Sequence, residues 1–91
     1  MEKVLYRIFV KGKVQGVWFR KYTFNEANKI GLKGFVRNNI NNTVYIEAEG
    51  NLTQLKEFVL WLHKGSPLSK VSLVTFETSE LKYYKSFEIS F

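Results

Sequence analysis

Hydrophobic residues along this chain switch spacing between a period of two and a helical period in a fixed order, and that order is what most constrains the fold. From Val4 to Lys11 the pattern alternates. Val4, Tyr6, Ile8 and Val10 share one face, and Leu5, Arg7, Phe9 and Lys11 share the other, which predicts a strand. Phe19, Thr23, Ala27 and Ile30 then recur on one helical face, predicting a helix over 19–30. Gly31 stands where a left-handed C-terminal cap is expected, and Leu32 is placed to pack back on the last turn. A strand over 33–39 and another over 43–49 flank Ile40-Asn41-Asn42, a turn in which asparagine tolerates positive φ. In the second of these strands Val44, Ile46 and Ala48 are expected to face inward, and Tyr45, Glu47 and Glu49 outward. Asn51 with Gln54 approximates a capping box ahead of the stripe Leu52, Leu55, Phe58, Val59 and Leu62. Gly65 closes this second helix and Pro67 marks the loop after it. A strand over 71–77, a polar segment Thr78–Ser86 expected to be loose, and a short strand on Phe87, Ile89 and Phe91 complete the chain.

Strand–helix–strand–strand–helix–strand builds an antiparallel four-stranded sheet with both helices on one face. The expectation is therefore an α+β, ferredoxin-like α/β sandwich, βαββαβ, with the short C-terminal strand added. The 91 residues read as one domain, 1–91, without internal repeat, linker or low-complexity run. This architecture serves unrelated activities, so function has to be read from a site.

Composition removes several chemistries. There is no cysteine, hence no disulfide framework, thiolate nucleophile or Cys-based metal centre. There is no aspartate and only one histidine, His63, which excludes an aspartyl-phosphate mechanism, a multi-histidine metal site and a two-histidine nuclease. Net charge is +6, and it is lopsided: residues 1–40 carry +7 and residues 41–91 carry −1. A concentrated positive half points to an anionic partner, although lysines that merely solvate the surface read equally well. Arg7 interrupts the first apolar stretch, so no secretory signal is expected, and no stretch approaches a membrane span. The expected location is cytoplasmic, which leaves the glycosylation patterns at Asn41 and Asn51 without meaning.

The segment Gly12-Lys13-Val14-Gln15-Gly16-Val17-Trp18-Phe19-Arg20 joins the first strand to the first helix. A helix N-terminus leaves backbone N–H groups unpaired and carries partial positive charge. Glycines let such a loop curl until several N–H groups converge on one anion. The spacing fits neither a nucleotide P-loop nor a dinucleotide fingerprint, so the anion should be small, such as a single phosphate. Arg20 falls in the first helical turn, where a cation opposes the dipole. An anion between Arg20 and the helix end would resolve that conflict, and guanidinium can grip two phosphate oxygens. A surface arginine paired to a glutamate is the competing reading. Asn38 lies in an asparagine-rich stretch, and the residues alone leave it open as an ordinary turn residue.

These segments resemble the acylphosphatase family. Residues 12–20 match its loop pattern G-x-V-Q-G-V-x-F-R at every fixed position, and Gly34-Phe35-Val36-Arg37-Asn38 matches its second pattern, G-W/F-V-x-N. The resemblance extends to about Glu77; Phe35, Asn42 and Ser66 depart from commoner family choices. It implies hydrolysis of acyl phosphates to a carboxylate and orthophosphate by a cytoplasmic enzyme without metal or organic cofactor. It further implies that Arg20 binds the phosphoryl group, that the N–H groups of Gln15, Gly16, Val17, Trp18, Phe19 and Arg20 surround its oxygens, and that Asn38 holds the attacking water. The partners implied are a small acyl phosphate and inorganic phosphate as product or inhibitor; no nucleic acid and no membrane are expected, and a monomer is expected although the sequence does not give oligomeric state. The residues fit such a scheme. His63 and Glu26 are expected far from the loop, so no general base is at hand, and a substrate phosphate oxygen can accept the water's proton.

Two further features are open on sequence alone. Trp18 is either a neighbour of the acyl group or helix surface, and Leu60-Trp61 falls off the apolar stripe. The same element order also occurs in RNA-binding modules, which would need Leu5, Phe9 and Phe35 exposed as a stacking platform.

Overall fold

The computed structural model describes residues 2–16 and 18–91. The elements run β1 (Val4–Lys13), α1 (Phe19–Ile30), β2 (Lys33–Asn38), β3 (Thr43–Gly50), α2 (Leu52–Lys64), β4 (Lys70–Ser79) and β5 (Phe87–Ile89). One sheet has the order β4-β1-β3-β2-β5. Its first four strands pair antiparallel, and β5 adds parallel to β2, making the sheet mixed. The ferredoxin-like α+β architecture expected from the periodicities is the one observed. The chain departs from expectation in that β1 and β4 each run two to three residues further, across a register shift at Lys11/Gly12. Gly12 holds φ 135° there, and any Cβ would collide with the Lys70 carbonyl oxygen.

The local signals act as their chemistry requires. Gly31 adopts φ 101°, and the Ala27 carbonyl accepts from both Gly31 and Leu32. Asn51 and Gln54 close a reciprocal capping box, and Gln54 Nε2 also donates to the Ile30 carbonyl, tying the two helices end to end. Asn41 and Asn42 both take left-handed φ, 56° and 57°, which is the two-residue turn that matches strand twist. Ile8, Val10, Val36, Val44, Ile46 and Ala48 pack from the sheet against Phe19, Ala27, Leu55, Phe58 and Leu62 of the helices. Leu52, expected on the buried stripe, is 47% exposed. Trp61 packs on Phe19 with centroids 6.1 Å apart, and Leu60 faces solvent.

The second face of the sheet corrects two expectations. Every residue of β3 is buried, so Tyr45, Glu47 and Glu49 do not face outward into water. The cause lies in the segment expected to be loose. After β4 the chain crosses this face as a strap. Glu49 accepts from the backbone N–H groups of Lys82, Tyr83 and Tyr84. Glu47 accepts from the hydroxyls of Tyr45 and Tyr84 and pairs with Lys82 at 3.0 Å. Burial pushes the Glu47 carboxyl up, but the two hydroxyls and the ammonium outweigh it and hold it below its usual value. Burial, then the Glu47 carboxylate, pushes the Tyr84 hydroxyl well up. The three residues that an RNA-stacking platform would need exposed on this face are packed to different degrees. Leu5 is fully buried, Phe35 lies edge-on to Tyr84, and Phe9 lies against Tyr45.

Candidate active site

The site lies where the loop after β1 meets the N-terminus of α1 and the end of β2. Gly16 takes φ 73°, and Trp18, the N-cap of α1, takes φ 61°. No side chain caps this helix, and its first intrahelical bond runs from Tyr22 N–H to the Trp18 carbonyl. Among the described residues, the amides of Trp18, Phe19 and Arg20 are left without helical partners. No acidic residue stands in the first turn to occupy the positive end of the dipole. The helix opens with an exposed cap, two cationic side chains and, among the described residues, amides that α1 itself does not bond.

Arg20 is half-buried in this turn. Its Nη1 donates to the Ser90 carbonyl at 3.3 Å, and its guanidinium lies 5.0 Å from the centre of the Phe91 ring. The competing picture of an arginine paired with a glutamate does not hold. Among the described residues, the ion pairs are Arg7–Glu77 and Lys82–Glu47. Those contacts fix the guanidinium from the β5 side while leaving other N–H groups available. Asn38 is the last residue of β2, is exposed, and shares its face with Val36. The core ends at Val36, so Asn38 reaches the loop without leaving that face.

Arg20, Asn38, Gly16, Trp18 and Phe19 line one open cavity of about 360 Å³. Lys21, Ile89 and Phe91 join them, and among the described lining residues there is no Glu or His side chain. Val17, expected to supply one of the cradling amides, lies outside the described residues. Gln15 was expected to act through its backbone alone. Its side chain also matters, because Nε2 donates to the carbonyls of Asn39 and Thr43 at 2.8 and 2.9 Å. Gln15 thus ties the loop to the hairpin that carries Asn38. No local sequence signal announced this tether, since its partners lie 24 and 28 positions away.

Comparison with known proteins finds likenesses among acylphosphatases by sequence and by fold. The Acylphosphatase family model matches residues 6–89. An acylphosphatase of Bacillus licheniformis is 49% identical over 87 residues, covering 94% of this chain and 97% of that protein. The crystal structure of acylphosphatase from Bacillus subtilis superposes with a TM-score of 0.94 at 40% identity, covering 97% of this chain and 99% of the other. Full-length HypF, in a phosphate- and nucleotide-bound form, contains a similar unit. It has a TM-score of 0.89 and 37% identity, covering 98% of this chain and 12% of that one.

Proposed function

The chain belongs to the acylphosphatase family and hydrolyses acyl phosphates, and from that premise we propose how its own residues do so. The observation that carries the reading is the convergence of an uncapped helix N-terminus, Arg20 and Asn38 on one cavity with no Glu side chain among its described lining residues. The phosphoryl group sits in the loop, its oxygens taking N–H donors from Gln15, Gly16, Trp18 and Phe19. Arg20 grips two of those oxygens with its planar fork. The Asn38 side-chain amide orients a water opposite the acyl oxygen. Water oxygen bonds to phosphorus, the bond from phosphorus to the acyl oxygen breaks, and the carboxylate leaves with that electron pair. The water's proton passes to a phosphate oxygen, giving orthophosphate.

A carboxylate is a good leaving group, so this scheme asks for positioning and charge stabilisation rather than a strong acid. No metal or organic cofactor enters it. Among the described residues, no group of three or more His, Cys, Asp or Glu is gathered as metal ligands would be. No helix is long and apolar enough to cross a membrane among those residues. The test is benzoyl phosphate hydrolysis with excess chelator present. Sustained turnover supports the metal-free scheme, and turnover abolished by chelator and restored by a divalent cation overturns it.

A further inference from the structure

A second groove adjoins the phosphate cavity, and nothing in the scheme above uses it. It has a volume of about 460 Å³ and runs between α1 and the loop after α2, walled by Trp18, Tyr22, Pro67 and Leu68. Trp18 and Lys21 line both cavities, so the groove begins where the phosphate site ends. Its apolar walls face water: Trp18 is 73% exposed and Leu68 is 69% exposed. Trp18 is also held in a left-handed backbone conformation, and its indole faces solvent rather than the core. No carboxylate lines the groove to repel an anionic substrate. Exposed apolar surface of this kind, continuous with a reaction site, marks a ligand contact.

We propose that this groove receives the acyl group, and that the enzyme favours acyl phosphates with an aromatic or large apolar acyl moiety over acetyl phosphate. The inference rests on the hydrolytic reading above and adds its direction. Water and leaving group must lie on opposite sides of phosphorus for in-line displacement. Asn38 lines the first cavity only, Pro67 and Leu68 line the second only, and Trp18 stands between them. The acyl oxygen therefore leaves toward Trp18, and the group it carries slides between the indole and Leu68.

The test measures kcat/KM for benzoyl phosphate and for acetyl phosphate on the whole protein and two variants. Leu68→Ser removes an exposed apolar wall without touching the core, and Trp18→Asn removes the indole while keeping a residue that tolerates positive φ. The expected result is a benzoyl-to-acetyl ratio lowered about fivefold by Leu68→Ser and about tenfold by Trp18→Asn. Inhibition by inorganic phosphate should be unmoved in Leu68→Ser, since phosphate does not reach that wall. A ratio unchanged in both variants, with both substrates still hydrolysed, overturns the acyl groove and leaves the hydrolytic reading standing. No turnover of either substrate by the unaltered protein overturns both.

Discussion

Arg20 and Asn38 are proposed to divide the work between holding charge and placing water, and their substitutions should separate the two. Removing a preorganised charge-stabilising donor typically costs about 2.7–4 kcal/mol, roughly a hundred- to a thousandfold in rate. Arg20→Ala is expected to lose at least that in kcat/KM for benzoyl phosphate and to weaken inhibition by inorganic phosphate. Arg20→Lys should recover little, because a point charge cannot reproduce a planar fork that also rests on Phe91 and the Ser90 carbonyl. Asn38→Ala should lower kcat by a similar factor while phosphate inhibition persists. A steady-state comparison of kcat, KM and phosphate inhibition across the three variants checks this division. Near-normal turnover in Asn38→Ala would remove it from the mechanism.

Elements place these residues, and the loop–helix junction depends on one tether. Gln15 makes two side-chain bonds to carbonyls of the β2–β3 hairpin, each worth about 0.5–1.5 kcal/mol net. Gln15→Leu should therefore lower unfolding free energy by about 1–3 kcal/mol in urea titration. It should also lower kcat, because loop and Asn38 would no longer be held in register. Destabilisation with unchanged kcat would confine Gln15 to stability. Much at this scale was legible in sequence. The switch from alternation to helical spacing gave α1 its observed limits, and Gly31, Asn51 and the Asn41-Asn42 pair each mark a backbone need that few residues meet. The loop and Asn38 were legible through the family patterns, whereas asparagine-rich residues 38–42 taken alone read equally as turn. The Gln15 tether was not legible, because it joins residues 24 and 28 positions apart.

At the scale of the molecule, the strap over the second sheet face connects stability to the site. It is the part the sequence concealed. Alternation in β3 sets Tyr45, Glu47 and Glu49 on the face opposite the helices, and no local pattern says that a later polar segment will return to cover them. Glu49 gathers three successive amides of the strap, and the chain then enters β5 and reaches Ser90, whose carbonyl holds Arg20. Glu49→Ala leaves those amides unpaired and is expected to cost about 3 kcal/mol or more in chemical unfolding, with a drop in turnover as the Arg20 contact loosens. Glu47 sets an acid limit. Its folded value lies below the usual 4.5, so the stability it adds is present above that value and is lost as pH falls through the folded one. Urea midpoints followed across the carboxylate range should fall steeply in the unaltered protein and less so in Glu47→Gln. Equal slopes would place the acid sensitivity elsewhere.

The phosphate cradle is the central claim, and its most direct test is to watch the loop amides while inorganic phosphate is titrated into the nitrogen-labelled protein. The expected result is saturable shifts concentrated on the amides of Gly16, Trp18, Phe19 and Arg20 and on the Asn38 side chain, strongly weakened in Arg20→Ala. Shifts absent from these groups, or centred on another surface and unaffected by Arg20→Ala, would contradict it.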